Sequence, residues 1–197
     1  THRSTVFGAL PAATDACAEV LEHVVAHLAA HHPEHLAPID PEDHPLVAAA
    51  RLVPEDLVVM SQVDGRLLCT AGVVCFPNRW DLASKIGQPL QAVHAPVAQL
   101  NEQLAGPIDA FFDRLGPGRS FWRLGWGLIE TPELYQPLDG TAPARRPVPD
   151  AAAAGEGIWV RVERETLRRF PRTGAVLFTI RTHLSRVDEL AENPDDL

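Results

Sequence analysis

The sequence predicts an α+β fold: a five-stranded antiparallel sheet with flanking helices and an N-terminal helical extension over residues 1–54. Three observations carry this. Two apolar, β-rich runs flank Asp64-Gly65, a strong hairpin signal. Three further strand-like runs fall in the second half of the chain. Helical patterns stand in blocks before and between them, without the strand–helix–strand alternation of a parallel sheet. With 197 residues, 46% of them apolar, the chain is long enough for one sizeable core, and residues 55–190 are expected to form one compact unit.

The elements follow in order. Residues 12–32 read as an amphipathic helix, because Val20, Val24 and Leu28 recur at helical spacing, as do Leu21 and Val25. The proline-rich stretch "HHPEHLAPIDPEDHP" ends it. "LVAAARLV" reads as a second short helix stopped by Pro54. The hairpin occupies Leu57–Phe76. "PNRWDLASKIG" reads as a turn and a short helix ended by Gly87. "PVAQLNEQLAGPIDAFFDRLG" is helical, with Pro107 expected to divide it. Strands are expected near 121–129, 157–165 and 175–184, with a loop from about Thr131 to Gly155. Val73, Val74 and Trp126 are expected to line the core of the sheet. The acidic tail "DELAENPDDL" is expected to fray. No internal repeat is visible.

A formal net charge of −9 argues against nucleic acid or an anionic membrane as the main partner. No apolar run reaches the roughly 18 residues of a spanning helix. The opening residues lack a basic stretch followed by an apolar one, so no signal peptide is expected. Cys17, Cys69 and Cys75 show no metal spacing and read as reduced, mostly buried thiols of a cytoplasmic protein. Sixteen of the seventeen basic residues are Arg, with Lys85 alone, which suggests a GC-rich bacterial genome.

Few residues carry a signal for chemistry. His23, His27 and His31 share a helix face and have the spacing to hold a metal, although a solvated histidine face explains them as well. His94 lies among Ala92, Val93, Ala95 and Pro96. An imidazole in so apolar a setting needs a partner: a carbonyl, a carboxylate or a metal. Strand alternation puts Arg161 and Glu163 together on one face, and a charged patch with Arg181 of the next strand is expected. Its alternatives are cross-strand ion pairing in water and a ligand face. Phosphate-binding and hydrolase motifs are absent from the sequence.

Three blocks together resemble a known family. They are "VVCFPNRWDLASKIGQPLQAVHAPV", "WRLGWGLIETPELYQP" and "RVERETLRRFPRTGAVLFTIRTHL". The family is that of the haem-dependent oxidative N-demethylases, α-subunit-like. The resemblance implies a PAS-like domain holding haem b inside an antiparallel sheet and its helices. It also implies O₂ as oxidant, a small secondary amine as substrate, and electrons from a separate flavin and iron–sulfur protein. In that frame His94 is the axial iron ligand, with His183 next in line. Trp126, Arg123 and Arg161 contact the cofactor. Glu163 and Arg181 stand on the distal, catalytic side, with Arg161 or Arg164 in support. The chain departs from the family at Gly125, where relatives tend to have Asn in R-x-N-W, and at His183, where they often have Tyr. The missing amide leaves room for a different substrate. The readings in competition are an oxidative haem enzyme, a non-catalytic haem sensor of gas or redox state, and a structural domain without a cofactor.

Overall fold

The computed structural model describes residues 3–93, 100–138 and 157–192. The element order is α1 (Arg3–Val6), β1 (Phe7–Ala9), α2 (Thr14–His31), α3 (Pro45–Ala50), β2 (Asp56–Val63), β3 (Arg66–Val73), α4 (Leu90–Val93), α5 (Leu100–Arg114), β4 (Ser120–Ile129), β5 (Trp159–Arg169), β6 (Val176–Arg186) and α6 (Val187–Glu192). The class is α+β and the sheet is antiparallel throughout, but it has six strands rather than five, in the order β1-β3-β2-β6-β5-β4. The additional strand is β1, which pairs with β3 at the edge. Three residues are too few to show an alternation, so only tertiary pairing reveals it.

Local chemistry accounts for most boundaries. Helix α2 buries Val20, Val24 and Leu28, and Pro33 follows its end. Helix α3 starts on Pro45, with the His44 imidazole accepting a hydrogen bond from the Leu46 amide at 3.2 Å. The hairpin turns on Asp64 and Gly65, both at positive φ (50° and 74°), the geometry that asks for this residue pair. The stretch after β3 forms turns and no helix: the Asp81 carboxylate accepts from the amides of Ala83 and Ser84 as a helix cap would, but the single turn closed on the Leu82 carbonyl ends at Gly87, at φ 81°. Helix α5 runs through Pro107 without dividing.

The sheet separates two cores. On one face Val20, Val24 and Leu46 pack against Leu57, Val59 and Leu177. On the other, Leu82, Phe112 and Leu115 pack against Val58, Met60 and Val176. The Glu19 carboxylate ties α2 to the β5–β6 connection by accepting from the amides of Arg172 (3.0 Å) and Thr173 (2.9 Å) and from the Thr173 hydroxyl (2.7 Å). Burial pushes the pKa of Glu19 up, but these donors hold it below its ordinary value. Cys17 and Cys69 are buried, and burial lifts their thiols to about 12 and about 11, so both are unreactive packing residues; Cys75 is exposed. No helix among the described residues is long and apolar enough to cross a membrane.

Candidate functional site

The register of the three long strands decides which side chains can meet. Directly opposed residues on neighbouring strands point to the same face. Gly125 stands opposite Glu163, and Glu163 opposite Thr182. Gly127 stands opposite Arg161, and Arg161 opposite Leu184. These residues, with Phe121 and Arg123 further along β4, line the face that also carries Val58 and Met60.

A polar node lies at the centre of that face. Arg161 is only 2% exposed, and a buried guanidinium must be matched donor by donor. Its Nε donates to the Glu163 carboxylate at 2.7 Å. Its terminal nitrogens donate to the Phe76 carbonyl (2.6 Å), the Thr182 hydroxyl (3.2 Å) and the Leu134 carbonyl (3.4 Å). Four of its five N–H groups are thus engaged. Asp56 lies nearby at the start of β2, accepting from the amides of Cys75 (2.6 Å) and Phe76 (3.1 Å). Burial raises its pKa from 3.8 to about 6; the two amides and Arg161 oppose the rise, and Glu163 adds to it. Glu163 is 26% exposed. Its second carboxylate oxygen has no partner among the described residues, so it can accept from an incoming donor.

Beside this node the strand is bare. Among the described residues, a Cβ built on Gly127 would meet nothing within 4 Å, and one on Gly125 would meet only the Glu165 carboxylate at 3.8 Å. Glu165 in turn is ion-paired with Arg123, whose side chain is largely exposed. The result is a flat glycine floor with a fixed carboxylate beside it and an arginine at its edge. Such a floor admits a planar group lying flat against the face of the strand, which side chains at 125 and 127 would obstruct.

The structure therefore brings Arg123, Arg161 and Glu163 to one face and separates them from Arg181 and Trp126. Arg181 stands opposite Arg164, and Trp126 opposite Val162, both on the other face. The expected patch of Arg161, Glu163 and Arg181 does not form. The six-residue connection 170–175, closed by the Phe170 amide on the Ala175 carbonyl at 2.8 Å, sets a register that pairs odd positions of β5 with even positions of β6. Trp126, expected in the core, is 76% exposed. His183 is exposed on the same face as Arg181. His94 lies outside the described residues. His23 lies edge-on to Phe170, and its pKa is lowered by burial, then by Arg168 and His27. Among the described residues no group of three His, Cys, Asp or Glu is placed to hold a metal.

Sequence reasoning missed Asp56, Thr182 and Glu165. An acidic residue at the first position of a strand, in "PEDLVV", is a weak signal for Asp56. Thr182 and Glu165 are identified by register alone.

Residues 34–196, well over half of the chain, match the family described as haem-dependent oxidative N-demethylase, alpha subunit-like, and the chain belongs to that family.

Proposed function

From that membership we propose that this chain is a haem b-dependent oxidative enzyme that acts with O₂ on a small amine. The observation that carries the reading is the glycine floor of Gly125 and Gly127 beside the Arg161–Glu163 pair. It offers a planar cofactor an unobstructed strand and offers a cationic substrate a carboxylate. The sheet order β3-β2-β6-β5-β4, with α4 and α5 inserted between β3 and β4, supports a PAS-like arrangement with residues 1–54 as an extension. His94 would supply the imidazole that holds the iron, and Arg123, at the edge of the floor, would pair with the cofactor's carboxylates.

Bound haem supplies oxygen activation. The chain's own residues do the rest. Glu163 accepts a charge-assisted hydrogen bond from the ammonium or N–H of the amine, fixing its position. Arg161 holds the Glu163 rotamer and, with four of its five N–H groups already engaged, is a positioning residue rather than a donor to oxygen. Gly125, lacking the amide found in relatives, leaves space for a substrate larger than the smallest secondary amines. Electrons come from a separate flavin and iron–sulfur protein, and the setting is the bacterial cytoplasm.

The test is spectroscopic first. Protein purified from haem-replete cells should carry a Soret band, and His94→Ala should lose it or regain it with exogenous imidazole. With a surrogate reductant, the holoprotein should consume O₂ in proportion to an added secondary or N-methyl amine. Glu163→Gln should raise KM for the amine while leaving haem content unchanged. A colourless protein overturns the assignment. A haem-loaded protein that turns over no amine replaces it with a sensor.

A further inference from the structure

Strand β4 has a second face and a second edge that the proposed chemistry does not use. Trp122, Leu124, Trp126 and Leu128 alternate along it on the face opposite Arg161 and Glu163, and they are 68%, 56%, 76% and 59% exposed. β4 is also the last strand of the sheet, so its outer backbone edge is unpaired among the described residues. Proteins normally protect such an edge with a short strand, a proline, a bulge or several charges. β4 has ten residues, no proline, an unbroken register with β5, and one charged side chain, Arg123. Within the strand itself, and among the described residues, none of these devices is present.

The sequence of the strand is complementary to itself. Laid antiparallel against a second copy with Gly125 at the twofold axis, Leu124 meets Trp126, Trp122 meets Leu128, and Phe121 meets Ile129. Arg123 then stands opposite Gly127 on the other face, where no side chain of the second copy opposes it and the guanidinium stays at the edge of the floor. Every large apolar residue meets another, and the two glycines at the axis allow close backbone approach. No other register about a twofold axis within this strand pairs both tryptophans with leucines.

We propose that this chain forms a symmetric homodimer by antiparallel β4–β4 pairing about Gly125, joining two six-stranded sheets into one. An isologous contact of this kind closes on itself and hides both edges, so it leaves no further sticky strand. A buried tryptophan covers about 150–250 Å². With two tryptophans and two leucines from each copy, plus the paired backbone, the contact reaches on the order of 1,000 Å², the lower bound for a specific interface. The occupant is a second copy because the strand's pattern matches its own reverse. A different protein has no reason to share that symmetry.

The experiment is a mass measurement on the full chain by light scattering and sedimentation at micromolar concentration. Wild type should have twice the 21.5 kDa of one chain. Leu124→Glu and Trp126→Lys should each be monomeric, with unchanged circular dichroism showing that they remain folded. The decisive arm mixes the two variants. In the mixed dimer the carboxylate introduced at position 124 of one chain faces the ammonium introduced at position 126 of the other. The native Trp126–Leu124 pair survives on the opposite side of the axis. Dimer mass should return in the one-to-one mixture and in neither variant alone. A wild type that stays monomeric overturns the proposal, as does a dimer indifferent to both substitutions or a mixture that stays monomeric.

Discussion

Gly72 and Gly127 lie on the same face of the same sheet under opposite conditions. A Cβ on Gly72 would stand 2.7 Å from the Leu82 Cδ1, deep in a closed core; one on Gly127 would meet nothing within 4 Å among the described residues. The inner strands β2 and β3 are covered on both faces, by α2 and α3 on one side and by the segment around Leu82 on the other. The outer strands β4 and β5 keep a glycine floor open on one face and tryptophans exposed on the other. The same residue type thus serves close packing at one end of the sheet and an opening at the other. Stability is concentrated in the inner half, and the candidate chemistry lies in the outer half, where unfilled space costs less because fewer neighbours depend on it.

Arg161 joins the two halves, and removing it should have the largest effect. Arg161→Met leaves the Glu163 carboxylate, two carbonyls and the Thr182 hydroxyl unmatched at a buried point, and the expected loss is about 3–5 kcal/mol in denaturant unfolding. A loss below about 1 kcal/mol would mean that water replaces the guanidinium and the halves are not coupled there.

Asp56, in the inner half beside the node, should give the fold a pH signature. Its folded pKa of about 6 lies above the unfolded 3.8, so the folded state binds the proton more tightly. Below pH 3.8 both states are protonated and there is no penalty. Stability contributed by this group then falls as pH rises toward 6 and is level above it, by at most about 3 kcal/mol. Asp56→Asn should flatten that part of the stability–pH curve. An unchanged slope would show that the carboxylate titrates normally.

The two glycines give the direct contrast. Gly72→Ala forces the buried Leu82 to shift and should cost about 1–3 kcal/mol. Gly127→Ala should leave the melting temperature of the haem-free protein within about 0.5 kcal/mol equivalents of wild type. It should weaken haem uptake by about tenfold if the floor holds the cofactor. Equal melting temperatures for the two variants would abolish the distinction between a packed and an open end. The smallest effect is expected at Trp126. Trp126→Lys, measured at concentrations where wild type is monomeric, should change stability by less than about 0.5 kcal/mol, because the ring covers little of its own chain.

Local signals made most of the fold legible. Asp64-Gly65 announces the hairpin because positive φ at two successive positions is a geometry few residues other than these tolerate. The α2 helix is readable from Val20, Val24 and Leu28 because a covered helix repeats its apolar positions along one chain segment. The site was legible in its first half: the alternation that joins Arg161 to Glu163 is internal to β5. Arg181 could not be placed by the same logic. Its face depends on whether the β5–β6 connection pairs odd positions with odd or with even ones, and one residue in that connection reverses the answer.

What the sequence determined by itself was therefore the identity and order of most elements, together with the motifs that mark the family, since each is written within a continuous stretch of chain. What only the tertiary structure decided was which of their faces meet. It added β1 to the edge of the sheet, put Asp56 and Thr182 beside Arg161, and moved Trp126 and Arg181 to the far side. Those outcomes depend on register and on contacts across long sequence separations, and the energy that selects them comes from burying whole faces at once rather than from the preference of any single residue.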